Sequence, residues 1–92
     1  MIKIGVCTSL NNIRKAELAG FEYMEAALNG IAAMSDEEFE KALSDVNRAS
    51  IKVEACNCLL PGTLKVTGPE VNAQALHDYL EKAFTRAQRL GV

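Results

Sequence analysis

A chain of 92 residues, 49% hydrophobic and 24% charged, fits one small globular domain of ordinary composition. At this size a core is buried less completely than in larger domains. A formal charge of −2, from 10 basic and 12 acidic residues with Arg14-Lys15 as the only adjacent basic pair, offers no footprint for nucleic acid or an anionic membrane. Met1–Val6 lacks the layout of a secretory signal, and no apolar run approaches the roughly 20 residues that span a bilayer, so a cytoplasmic protein is expected.

Ile2–Cys7 alternates Ile2, Ile4 and Val6 with Lys3, Gly5 and Cys7, which predicts a short strand with one aliphatic face. Thr8–Asn12 is polar turn material. Asn11 or Asn12 is suited to cap a helix that turns Ile13, Ala16 and Ala19 inward. Gly20 supplies the left-handed position that closes the helix, and the chain passes directly into a second strand, Phe21–Ala27, with Tyr23 and Glu25 on one side and Met24 and Ala26 on the other. Asn29-Gly30 reads as a turn. Ser35-Asp-Glu-Glu38 is a capping box, flanked by Met34 and Phe39 at the positions of a hydrophobic staple. Phe39, Ala42, Leu43, Val46 and Ala49 continue as a helical stripe.

Ile51–Asn57 is the third predicted strand, with Ile51, Val53 and Ala55 opposite Lys52, Glu54 and Cys56. A connection from Asn57 to Glu70 follows, marked by Pro61-Gly62 and Gly68-Pro69. Connections beyond about 12 residues are uncommon in compact domains and are often binding loops or lids. Asn72 then caps a final helix whose stripe is Ala75 or Leu76, Tyr79, Leu80, Ala83, Ala87 and Leu90, closing on Gly91. His77 lies beside that stripe and reads as a surface residue.

The predicted fold class is therefore α/β, in the order β-α-β-α-β-α, with a parallel sheet and right-handed crossovers. Each strand has one aliphatic face and one polar or small face. A doubly wound sheet buries both faces under helices and its strands read aliphatic throughout. In a (β/α)₈ barrel the second face lines the interior, which opens into the active site at the C-terminal strand ends. The faces favour a barrel fragment, and Gly5–Ser9 lacks the G-x-G-x-x-G dinucleotide fingerprint.

Four segments carry a resemblance: Ile2–Val6, Ala19–Glu25 (Ala-Gly-Phe-Glu-Tyr-Met-Glu), Leu60–Pro69 (Leu-Pro-Gly-Thr-Leu-Lys-Val-Thr-Gly-Pro) and Ala83–Val92. Together they resemble the sugar phosphate isomerase/epimerase family, xylose isomerase-like TIM barrels related to endonuclease IV. The resemblance spans residues 1–92 but only the first three of the eight βα units, so it implies a partial TIM barrel domain that stops before the fourth strand. It implies an aldose–ketose isomerase or epimerase in which two carboxylates move a proton beside a carbonyl, assisted by a divalent metal (Mn, Mg, Co or Zn). The ligand implied is a sugar or sugar phosphate. The family's metal-binding Glu, Asp, His and Glu lie on later strands. No metal, catalytic residue or activity is therefore expected of residues 1–92 alone. The endonuclease branch has a histidine ligand near the end of the third strand, where this chain has Cys56-Asn57-Cys58.

The candidate substrate-binding residues are Glu25, Cys7, Cys56 and Asn57. Glu25 either meets a substrate hydroxyl or orients a neighbour at the barrel mouth, or is a solvated acid at a strand end. Cys7 and Cys56 are expected as small wall residues of the same mouth. Asn57 either bonds a sugar hydroxyl or caps a turn. Lys3 or Lys52 is expected to pair with Glu54, and Lys65 in the long loop is a weak phosphate candidate. The odd count of three cysteines, with no export signal, reads as free thiols rather than a disulfide framework. Two unprotected sheet edges lead to an expectation of self-association. A different class remains open, a complete small α/β binding or regulatory module without catalysis.

Overall fold

Three strands, β1 (Gly5–Cys7), β2 (Tyr23–Ala27) and β3 (Lys52–Asn57), pair in parallel in the order β1-β2-β3. They belong to a computed structural model that describes residues 2–92. Helix α1 (Ile13–Leu18) follows β1, α2 (Leu28–Ala33) and α3 (Asp36–Arg48) follow β2, and α4 (Ala73–Leu90) follows β3. Met24, Ala26 and Val53 from the strands join Ile13, Ile31, Phe39, Val46 and Ala83 from the helices in one buried cluster. The core therefore sits on one face of the sheet. The opposite face carries Lys3, Gly5, Cys7, Tyr23, Glu25, Lys52 and Glu54, all half-buried or exposed. The radius of gyration, 14.4 Å, exceeds the roughly 12 Å of a compact chain this long, in keeping with a sheet covered on one side.

The capping box is formed as expected. The Ser35 amide donates to Glu38 Oε1 at 3.0 Å, and the Glu38 amide donates to Ser35 Oγ at 3.1 Å. Asn72 accepts from the Ala75 amide at 3.0 Å, and Gly20 and Gly91 hold the left-handed closing positions at φ 90° and 85°.

Four expectations are corrected. The first strand is shorter than Ile2–Cys7, because β1 starts at Gly5 and leaves Ile2 and Ile4 88% and 64% exposed. Asn12 stands at the N-cap position of α1, as one of the two expected, but its side chain makes no capping hydrogen bond. A 3₁₀ turn, Leu10–Asn12, leads into the helix, Asn12 Nδ2 donates to Thr8 Oγ1 at 2.9 Å, and Ala19 is exposed. Asn29-Gly30 is no turn, since it lies inside α2. Burial of Leu28, Ile31 and Ala32 along one side of that helix outweighs the roughly 1 kcal/mol that glycine costs a helix interior.

The fourth correction concerns register. Tyr23 pairs with Lys52 and Met24 with Val53, but then the ladder slips: Glu25 faces Ala55, Ala26 faces Cys56 and Ala27 faces Asn57. Glu54 is the extra residue of this bulge. A one-residue slip exchanges the two faces of a strand. Beyond it Cys56 turns toward the helices and packs on the core, while Ala55 and Asn57 come round to the face of Glu25.

Candidate functional site

The three parallel strands end side by side, and their C-terminal residues meet on the face without helices. Cys7 closes β1 opposite Glu25, and the Thr8 amide donates to the Glu25 carbonyl at 3.1 Å, which carries the pairing one residue further. Asn57 closes β3. Its Nδ2 donates to Glu25 Oε2 at 2.6 Å and to Cys7 Sγ at 3.1 Å. An ionised carboxylate only accepts hydrogen bonds, so its chemistry fixes which end of the Asn57 amide faces it. Both amide hydrogens are then used. Oε1 of Glu25 and Oδ1 of Asn57 receive no hydrogen bond from the described residues.

Three of the four candidates, Cys7, Glu25 and Asn57, are thus brought together, with Asn57 bonded to the other two. Cys56 is not among them. The bulge turns it to the helix side, where burial, and secondarily the Glu25 charge, push its thiol above the ordinary range. A thiol shifted in that direction holds less of the nucleophilic thiolate at neutral pH. All three cysteines are free, and Cys58 sits just beyond β3 at φ 49°, with its carbonyl accepting from the Asn29 amide at 3.0 Å.

The expected ion pair is present: Lys3 Nζ lies 2.8 Å from Glu54 Oε2, and this contact raises the Lys3 pKa. Lys65 donates to the Gly62 carbonyl at 3.2 Å within its own loop. The long connection is tied down at its start, where the Tyr79 hydroxyl donates to the Leu59 carbonyl at 2.5 Å.

Beside the rim, a groove of about 590 Å³ runs between the turn after β1 and α2, with Cys7, Thr8, Ser9, Gly30 and Met34 among its walls. Sequence reasoning passed over Thr8 and Ser9 as turn material. Their position directly after a parallel strand was the available signal, because the loops at C-terminal strand ends build the sites of such sheets.

The rim does not fit a divalent metal. It offers one carboxylate, and the Asn57 N–H groups, rather than an oxygen, point between the carboxylate and the thiol. His77, Asp78 and Glu81 bring ligand atoms within 4.8 Å of one another, but on the exposed flank of α4, where His77 is 3.5 Å from Glu81.

Fold and rim define an α/β chain whose parallel sheet is covered on one side and carries a polar cluster at its C-terminal edge. No family model, curated protein or solved structure matches the chain. Among the described residues no helix is long and apolar enough to cross a membrane.

Proposed function

We propose that residues 1–92 form the first three βα units of a (β/α)₈ barrel of the sugar phosphate isomerase/epimerase type, and that they contribute part of its substrate-facing rim rather than its catalytic centre. The observation that carries this reading is the meeting of Cys7, Glu25 and Asn57 at the C-terminal ends of three consecutive strands, on the face that no helix covers. A doubly wound sheet reverses its strand order and covers both faces. Here strand order follows chain order, and the core lies on one side. Both features suit a barrel wall, whose inner face opens into the site.

Enzymes of this type move a proton beside a carbonyl between carboxylates, with a divalent metal polarising the substrate oxygens. The rim holds a single carboxylate and no fitting metal site, so the reading assigns both tasks to other parts of the barrel. Free thiols at Cys7, Cys56 and Cys58 accord with a cytoplasmic setting.

The purified 92-residue chain, incubated with ketoses and aldoses and Mn, Mg, Co or Zn, is expected to show no interconversion. The reading frame beyond the Val92 codon provides the decisive test. Further strand–helix units with Glu, Asp and His at strand ends would support the reading, and an immediate stop codon would contradict it.

A further inference from the structure

We infer that the rim is a specificity element that holds the uncharged, hydroxyl-bearing end of a polyol and excludes an anionic group, with Asn57 as its positioning residue. The inference rests on the barrel-mouth reading above and goes beyond it by fixing which end of the ligand this wall receives.

The argument is one of donors and acceptors. Asn57 spends both amide hydrogens inside the cluster, at 2.6 Å on Glu25 and 3.1 Å on Cys7. What remains is a pair of acceptors, Glu25 Oε1 and Asn57 Oδ1, on the open face. Acceptors of this kind are completed by O–H donors, and two neighbouring hydroxyls of a polyol supply one each. A phosphate or carboxylate at this place would set acceptor against acceptor, beside the negative charge of Glu25.

Among the described residues, the basic side chains near the rim are engaged elsewhere and do not offset that repulsion. Lys3, on the same face, is engaged by Glu54 at 2.8 Å, Lys52 donates to the Ala49 carbonyl at 3.4 Å, and Lys65 donates to Gly62 at 3.2 Å. The neighbouring groove walls contributed by Thr8 and Ser9 are uncharged, and the charged residue that lines the groove, Glu38, is an acid. A phosphorylated sugar would therefore enter with its phosphate directed away from β1–β3.

The bulge is what makes this arrangement possible. Without the extra residue at Glu54, Asn57 would project to the helix side and Cys56 would stand beside Glu25. The Glu25 carboxylate would then lack its clamp, and no fixed acceptor pair would face the opening.

The test is a titration of the ¹⁵N-labelled chain, following the Asn57 side-chain NH₂ resonances, with sorbitol, inorganic phosphate and methylammonium in separate series. Sorbitol is expected to give a saturable shift that weakens at least tenfold in Glu25→Gln, while phosphate gives none at equal concentration. A shift with phosphate or methylammonium and none with sorbitol would overturn the polyol assignment and leave the barrel-mouth reading standing. Silence to all three probes would overturn the polyol assignment, while the barrel-mouth reading is decided by the reading frame beyond Val92. A sorbitol response unchanged in Glu25→Gln would overturn the role given to Glu25.

Discussion

Tyr23 lies across Gly5. A Cβ built on Gly5 would come within 2.5 Å of the Tyr23 ring, so the glycine is the space that lets the ring lie on the open face. Gly5→Ala is expected to cost about 1–3 kcal/mol in urea unfolding, as overpacking does, and to cost less in a Tyr23→Ala background. Glu17 links α1 to the start of β3 by accepting from the amide of Ser50 and from its hydroxyl at 2.5 Å, and these bonds lower the Glu17 pKa. A carboxyl depressed in the folded state stabilises the fold above its unfolded pKa and loses that contribution as pH falls through the folded value. Glu38 and Glu40, depressed by Ser35 and Arg89, add to the same slope. The melting temperature is therefore expected to drop as pH falls below about 4.5, the ordinary glutamate value, and Ser50→Ala should flatten that dependence. At this scale the sequence made Glu25 legible, because strand alternation and a following loop placed it at a strand end. It put Cys56 on the face of Glu25 and Ala55 on the opposite one, because the bulge arises from pairing between β2 and β3, and nothing local to either strand announces it.

Arg86 organises the helical layer. It is 5% exposed, donates to the Ile31 and Met34 carbonyls at 2.7 and 2.8 Å and to Asp36 Oδ1 at 2.8 Å, and lies 4.8 Å from the Phe39 ring centroid. One side chain of α4 thus donates to a carbonyl in the last turn of α2 and to the Met34 carbonyl that caps it, and braces the first turn of α3. Replacement by methionine keeps much of the volume but removes the Arg86 donor from the Met34 carbonyl and leaves the Ile31 carbonyl only the Met34 amide at 3.3 Å. Arg86→Met is expected to lower stability by about 2–3 kcal/mol, measured by chemical denaturation. Arg89 adds a two-pronged pair with Glu40 at 2.6 and 3.0 Å, which at the surface is worth little by itself. Ser35→Ala, which removes the capping side chain of α3, is expected to cost about 1 kcal/mol. The capping box was readable because its four residues are contiguous. Arg86 was not, since an arginine on an apolar stripe gains its meaning only from partners some fifty residues away. Helix α2 was hidden for the converse reason, because Asn29-Gly30 is locally a turn signal that tertiary burial of Leu28 and Ile31 overrides.

The molecule as a whole is an open wall, 46 × 29 × 17 Å, with an uncovered polar face. Among the described residues β1 and β3 each pair on one side only, and exposed apolar side chains include Ile2, Ile4 and Leu18 and, elsewhere, Leu59, Phe84 and Val92. Unpaired edges of this kind recruit other strands. The isolated chain is expected to self-associate, with an apparent mass that rises with concentration in light scattering; a monomer at every concentration would contradict this. The parallel α/β class was legible from strand–helix alternation, and the one-sided core from the aliphatic and polar faces of the strands. The strand faces placed Cys7 and Glu25 at one mouth, but that Asn57 rather than Cys56 joins them in one cluster became visible only with the register. That cluster is most directly tested through its thiol, by measuring Cys7 alkylation by mass spectrometry with and without fructose, using exposed Cys58 as the internal reference. The expected result is a slower rate at Cys7, an unchanged rate at Cys58, and loss of the protection in Glu25→Gln. Alkylation of Cys7 at the same rate with and without the sugar would contradict a ligand-facing rim.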